Sequence, residues 1–301
     1  MIPFDLDAAL EKIDGRPVVL SVSGGKDSTA TGLVLREAGI PFRCVHMDTG
    51  WEHPDTERYV RDVLPGILGP IEIVESEGME ALVRRKGMFP SRVRRFCTQE
   101  LKVKPFLRWV RATEDETGEE LVNAVGIRAG ESAARSKLEE WEYNESMDLD
   151  VWRPIISLSF DDVVEVHRRN GVVPNPLYLK GATRVGCWPC IFARKKEVRL
   201  IADLDPGRID KIEELEAAAT AAARARKAAR GEPIPPPIAF FQARLPHHGD
   251  GPRWPCWPIR KVVEWSKTTR GGKQLGMFPD YESDGCMRWG MCEAPESKET
   301  E

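Results

Sequence analysis

The sequence predicts an α/β fold, a doubly wound parallel sheet followed by a smaller irregular and helical C-terminal region. Three observations point there. Short apolar runs alternate with helix-compatible stretches over about the first 195 residues, the pattern of repeated βαβ units. A glycine-rich turn, Ser23-Gly24-Gly25-Lys26-Asp27-Ser28, stands between the first apolar run and the first of those helices. At 301 residues, 41% hydrophobic and 31% charged, the chain has the balance of a soluble globular protein with one sizeable core and an appendage.

Residues 17–21 (PVVLS) and 42–47 (FRCVHM) read as parallel strands joined by a helix over 28–38. Residues 53–64 form another helix, opened by Pro54 and Asp55, and 71–74 a third strand. A helix over 79–86 stops at Gly87, a further helix covers 98–111, and 121–125 is a strand. In such a sheet, ligands belong at the carboxyl ends of the strands. After Arg194 the character changes. Residues 208–230 are Ala-rich and charge-laced without glycine or proline, a surface helix that ends at Gly231 before the linker EPIPPP. The last fifty residues are rich in Trp, Pro, Gly and Cys and lack periodicity, so their order requires staples or docking. The tail after Glu293 is expected to be disordered. The chain thus divides into an α/β domain at 1–195 and a helical, Cys/Trp-rich region at 196–301, with no internal repeat.

The net charge of −4 is too mild to indicate a nucleic-acid protein by itself, so any basic surface must be local. No apolar run approaches the ~18–20 residues of a spanning helix, and the N-terminus carries acids where a signal peptide carries a basic flank. The expectation is a cytoplasmic protein with no membrane partner. Seven cysteines (Cys44, Cys97, Cys187, Cys190, Cys256, Cys286 and Cys292) are an odd number in a chain read as cytoplasmic, which argues against a disulfide framework and for metal, cluster or reactive thiols.

The loop at 23–28 suits a phosphate. Its glycines let backbone approach an anion, and the helix behind it directs unpaired N–H groups and a partial positive charge there. It lacks the spacer and Gly-Lys-Ser/Thr ending of a Walker loop. A plain Gly-Gly turn capped by Ser28 is the alternative. Asp48, in Asp48-Thr49-Gly50 at the end of the second strand, is placed either to hold Mg²⁺ or to form a turn. Arg128 suits a phosphate clamp; Arg135 suits either that or an i,i+4 pair with Glu131. Lys26 reaches a phosphate or stays solvated.

SGGKDS resembles the pyrophosphate-binding loop of the adenine-nucleotide α-hydrolases, a Rossmann-like superfamily. Asp48-Thr49-Gly50 with His53-Pro54-Asp55-Thr56, Arg95-Phe96-Cys97-Thr98 with Leu101-Lys102 and Pro105, and the segment from Gly126 to Arg135 (GIRAGESAAR) resemble the phosphoadenosine phosphosulfate (PAPS) reductase family over residues 17–195. The resemblance implies that the loop binds ATP, or PAPS or its non-phosphorylated analogue APS, with Mg²⁺. It implies binding by Ser21, Ser23, Gly24, Gly25, Lys26, Asp27, Ser28, Asp48, Thr49, Gly50, Gly126 and Arg128, with Lys26, Asp27 and Asp48 catalytic.

Cys187-Trp188-Pro189-Cys190 can present two thiolates to zinc or an iron–sulfur cluster, or act as a redox pair. In the cluster-bearing reductases the ligands are a cysteine pair and a later Cys-x-x-Cys. Cys97, Cys187 and Cys190 match three of these, while Phe96 replaces the fourth. Cys256, Cys286 and Cys292 are the candidates to complete the set. The Cys-Trp-x-Cys form resembles the sulfur-inserting branch that includes DNA phosphorothioation enzymes, implying a [4Fe–4S] cluster, with Zn²⁺ the alternative, and a sulfur donor such as a cysteine desulfurase. The C-terminal Glu-Cys-Gly-Leu-His of assimilatory sulfonucleotide reductases does not occur, which removes their attacking thiol. Cys44, in mid-strand, is a core residue.

Residues 84–104 hold eight basic residues against the single acid Glu100, a positive strip suited to a nucleotide or a nucleic-acid backbone. The nine tryptophans can stack bases or simply pack. Nucleic acid is carried as a candidate partner without sequence specificity, and oligomerisation stays open. Three functions follow: an ATP pyrophosphatase that adenylates a substrate for sulfur transfer, a thiol-dependent PAPS/APS reductase, and a nucleotide-binding module without turnover.

Overall fold

A computed structural model describes residues 2–241, 257–268 and Trp289. Helix α1 (Leu6–Ile13), capped by the Asp5 carboxylate, leads into β1 (Val18–Ser21). Helix α2 (Lys26–Glu37) returns to β2 (Phe42–Asp48). Next come α3 (Pro54–Arg58), which runs on into a π-helical turn at Tyr59–Val63, α4 (Pro65–Leu68) and β3 (Ile71–Glu75). Helix α5 (Gly78–Lys86) precedes α6 (Phe96–Thr98), which passes through a second π-helical turn, Gln99–Val103, into α7 (Lys104–Thr117). Strand β4 (Val122–Val125) is followed by a hairpin of β5 (Trp141–Asn144) and β6 (Leu149–Trp152). The helices α8 (Phe160–Arg169), α9 (Pro176–Leu179), α10 (Lys195–Leu204), α11 (Pro206–Ala229) and α12 (Ile259–Ser266) complete the described chain.

The six strands form one sheet in the order β3-β2-β1-β4-β6-β5, parallel except for β5. Val18 lies level with Phe42 on one side and Val122 on the other, so β1 is central. Both its faces are covered, which is why it reads as an unbroken apolar run. Val18 and Leu20 join the core under α2, α4 and α8, whereas Val19 faces Phe106 and Val110 of α7. The four strands read from the sequence are present. The β5–β6 hairpin was not foreseen: Trp141 and Trp152 stack across it at 4.8 Å, but Glu142 and Tyr143 are exposed and blur the apolar pattern. The helix expected at 98–111 instead takes in the end of α6, the π-helical turn Gln99–Val103 and α7, and runs on to Thr117.

Beyond Arg194 the chain packs back against the first part. Ile209, Ile212 and Leu215 of α11 share a core with Leu82 of α5 and with Trp51 and Trp188. The Glu216 carboxylate, buried on α11, accepts the backbone N–H of Phe240 at 2.9 Å and of Ile259 at 3.0 Å, tying the Pro-rich linker and α12 to the long helix.

Candidate nucleotide site

Between β1 and α2 the loop turns on Gly24, whose φ of +70° and whose missing Cβ, which would meet Val60 Cγ2 at 2.8 Å, both call for glycine. Gly25 is the N-cap of α2 and offers no side chain, so the helix terminus is left to a ligand or a neighbour. Ser28 Oγ accepts the Ser23 N–H at 3.1 Å and donates to Gly25 O at 3.0 Å, so the two serines brace the loop itself. Lys26 is not solvated: it is 7% exposed, and its Nζ lies 2.8 Å from Asp27 Oδ2. Arg128 Nε meets the other oxygen, Asp27 Oδ1, at 2.6 Å. Burial works to raise the Asp27 carboxyl, but the Lys26 ammonium and the Arg128 guanidinium outweigh it and hold it below the ordinary carboxylate range. Gly126 permits this approach. A Cβ there would sit 2.5 Å from Ser28 N and 2.6 Å from the Asp27 carbonyl carbon, so the end of β4 lies directly on the first turn of α2. Arg135 pairs with Glu131 on the surface instead of joining the loop.

Residues the sequence did not single out cover this loop. Asn175 Nδ2 donates to Gly24 O at 3.1 Å and to Thr56 Oγ1 at 3.2 Å. The Tyr178 hydroxyl accepts the Lys26 N–H at 3.2 Å, and burial pushes its phenol up, so it keeps its proton. Trp289 packs on Tyr178, Phe160 and His167, the last with ring centroids 5.1 Å apart. Burial lowers the His167 imidazole, which therefore stays neutral. Val173-Pro174-Asn175-Pro176 announces a turn, yet nothing local ties it to a loop 151 residues away.

At the end of β2, Asp48 builds a turn and an ion pair. Its Oδ1 accepts the Gly50 N–H at 2.9 Å, and its Oδ2 lies 2.7 Å from Arg61 Nη2. Thr49 Oγ1 donates to Glu52 Oε1 at 2.6 Å inside the protein. Glu52 forms an isolated antiparallel bridge with Cys187, and Trp188 N donates to Trp51 O at 2.7 Å, so this segment is latched to the Cys-x-x-Cys turn. Arg208, reaching back from α11, donates to Glu52 O at 2.9 Å and stacks 4.7 Å above the Trp51 ring. Neither Glu52 nor Arg208 was foreseen from the sequence.

Cys97, Cys187 and Cys190 are half-buried against the same core. Burial pushes the Cys97 and Cys187 thiols up, opposed at Cys187 chiefly by the Lys102 ammonium. Lys102 in turn is held charged by Cys187 foremost, with Glu52, Cys190 and Cys97 adding to it. Thiols are the donors that zinc and iron–sulfur clusters take, but among the described residues no three ligating side chains come close enough to hold a metal ion. Cys256, Cys286 and Cys292 lie outside the described residues. Asp27 at the loop and Asp48 at the end of β2 are both paired with cations, so among the described residues these carboxylates form no Mg²⁺ cage. Cys44 is a core residue whose thiol burial raises to about 12.

A cavity of about 220 Å³ opens beside Ser23 at the carboxyl ends of β1, β2 and β4. Its polar lining is Ser21, Ser23, His46, Glu52, Lys102 and Asn123, set among apolar walls such as Val45 and Phe106. Ser21 Oγ donates to Asn123 Oδ1 at 3.0 Å. His46 Nδ1 lies 2.8 Å from Val22 O, which places a proton on that nitrogen, and burial keeps the ring neutral.

A doubly wound sheet with a glycine-capped helix terminus and a cavity at its strand ends defines a nucleotide-binding α/β protein. The phosphoadenosine phosphosulfate reductase domain matches residues 17–193, and the chain belongs to that family, whose members are enzymes. An uncharacterized 37.8 kDa protein in the gpa 5' region of Escherichia phage 186 is 32% identical over 309 residues, spanning 86% of this chain and 91% of that protein. An uncharacterized protein of Methanocaldococcus jannaschii is 25% identical over 193 residues, 64% of this chain and 45% of that one. Among solved structures, a PAPS reductase from Candida auris in a phosphate complex is similar over 62% of this chain and 89% of its own, at 20% identity and a TM-score of 0.47.

Proposed function

We propose that the chain is an ATP pyrophosphatase of this family that adenylates a substrate in preparation for sulfur transfer. The observation that carries the reading is the convergence of buried Lys26 and Arg128 on a loop that opens into the cavity of Ser21, His46 and Asn123. The loop amides and the two cations suit the β- and γ-phosphates, and the cavity suits the nucleoside. A substrate oxygen attacks the α-phosphorus, the bond to the bridging β-oxygen breaks, pyrophosphate departs with that oxygen, and the nucleophile's proton passes to water. Lys26 and Arg128 offset the charge that grows on the leaving group. With Asp27 and Asp48 already paired to cations, a Mg²⁺ ion would be held chiefly by the nucleotide's own phosphates, where it would offset their charge. Cys97, Cys187, Cys190 and a fourth thiol are the donors that would have to draw together to hold a [4Fe–4S] cluster, since the described thiols do not stand close enough for a metal ion, and such a cluster would supply electrons or sulfide. Iron and sulfide analysis after anaerobic purification tests that part, and zinc in their place refutes it.

Substrate-dependent exchange of labelled pyrophosphate into ATP is the expected result; no exchange with any nucleic acid or sulfur donor overturns the reading. The family description favours one rival, a thiol-dependent sulfonucleotide reductase. Sulfite released from PAPS or APS would decide for it.

A further inference from the structure

We infer that a second site, a basic and aromatic groove beside the thiols, binds single-stranded nucleic acid. The groove goes beyond the nucleotide cavity and stands whichever nucleotide that cavity takes.

The positive strip of the sequence is not one surface. Arg84 and Arg85 pair with Glu80 and Glu77, and Lys86 and Lys104 both pair with Glu100. Lys102 is turned inward to the cavity. What remains is Arg92, Arg94 and Arg95, all exposed, joined by Arg194 at the start of α10; among the described residues none of the four pairs with a carboxylate. In a chain of net charge −4, that is a local cationic rim.

Arg92 and Arg194 border an aromatic floor, while Arg94 and Arg95 border an adjoining hollow lined by Phe96, Thr98 and Gln99. A groove of about 650 Å³ runs between residues 90–93, the start of α10, and α12, and the half-buried Phe241, Trp257 and Trp265 line it, with Phe240 buried beneath them. The Arg92 and Arg95 guanidiniums lie 5.8 and 5.1 Å from the Phe192 ring, and Lys195 Nζ lies 4.9 Å from that of Trp265. Spaced cations with aromatic faces between them are what an unpaired strand needs, phosphates on the rim and bases on the floor. A duplex keeps its bases stacked and offers the floor nothing. A mononucleotide has too few phosphates for four separated arginines.

Residues 90–95 lead to Cys97, and 191–195 follow Cys190, so the groove borders the segments that carry these two thiols.

The test is fluorescence anisotropy of the full chain with labelled oligo-dT and oligo-U of about 12 nucleotides, against a duplex of equal length. The single strands are expected to bind at least about tenfold tighter than the duplex, and the ratio of dT to U identifies the natural class. Arg92→Glu with Arg95→Glu, on exposed side chains, should lower affinity about tenfold or more and flatten the logarithmic salt dependence by about 1.4, two phosphate contacts' worth for a single strand. Trp265→Leu should lower it about fivefold. Circular dichroism and the urea midpoint check that each variant is folded. Equal or tighter duplex binding, unchanged affinity in the charge-reversed chain, or equal competition by poly-glutamate, which would assign the groove to acidic protein, each overturns the inference.

Discussion

Asp27 is the residue whose removal tests the loop most directly. Its carboxylate stands between Arg128 Nε at 2.6 Å and Lys26 Nζ at 2.8 Å, and the three side chains are only 14%, 7% and 8% exposed. Solvent therefore screens the group little. Asp27→Ala leaves two buried cations without a counter-charge, expected to cost about 3–5 kcal/mol of folding stability. Asp27→Asn keeps an acceptor for Arg128 and should lose about 2 kcal/mol. The sign with pH follows from the depressed carboxyl. Its contribution is complete well above the ordinary value of 3.8 and disappears as pH falls through the lower folded value. Urea unfolding followed by tryptophan fluorescence should show a parent-to-variant gap that is constant near neutrality and shrinks below about pH 4. Pyrophosphate should restore part of the loss, about 2.7 kcal/mol at a hundred times its Kd. A gap under about 1 kcal/mol, or one that does not shrink in acid, would refute the account of the loop as a charge-balanced unit.

Three other outcomes are expected. Gly126→Ala sets a Cβ against backbone at Ser28 and Asp27, so the loop must shift; ATP affinity by calorimetry should fall at least about tenfold. Tyr178→Phe orphans the Lys26 N–H and should lower stability by about 1–3 kcal/mol in urea, with no change meaning that water replaces the hydroxyl. Burial raises the Glu216 carboxyl above its ordinary 4.5, so its ionised form weighs against folding as pH rises through that window. Glu216→Gln should therefore exceed the parent by on the order of 1 kcal/mol at pH 7 and converge with it near pH 4, read from urea midpoints.

The parallel sheet was legible because its central strands are buried on both faces and read as mostly apolar runs, as Val18–Ser21 does and as Val122–Val125 does apart from Asn123. The loop was legible because glycine and a helix start are local signals. What the sequence could not show is what comes from a distance. Asn175 and Tyr178 touch the loop from across 151 and 152 residues, and Arg208 reaches Glu52 across 156. Charge counting also misled. A run of eight basic residues looks like one surface until Glu77, Glu80 and Glu100 neutralise half of it. Asp48, read as a candidate for Mg²⁺, has its carboxylate taken by Gly50 and Arg61, partners that a linear pattern does not rank.

The π-helical turn at Gln99–Val103 adds a constraint of another kind. Such a turn holds one residue more than an α-helical one. Removing any single residue from it would let α6 and α7 run as one regular helix, and Cys97 would swing by about 100° around the axis relative to Phe106 and Val110. Those two are fixed in the core under the sheet, so it is the thiol that would move. The segment should therefore tolerate substitution at exposed Gln99 yet resist shortening anywhere along it. Here the length of the chain, more than the identity of its side chains, aims the sulfur.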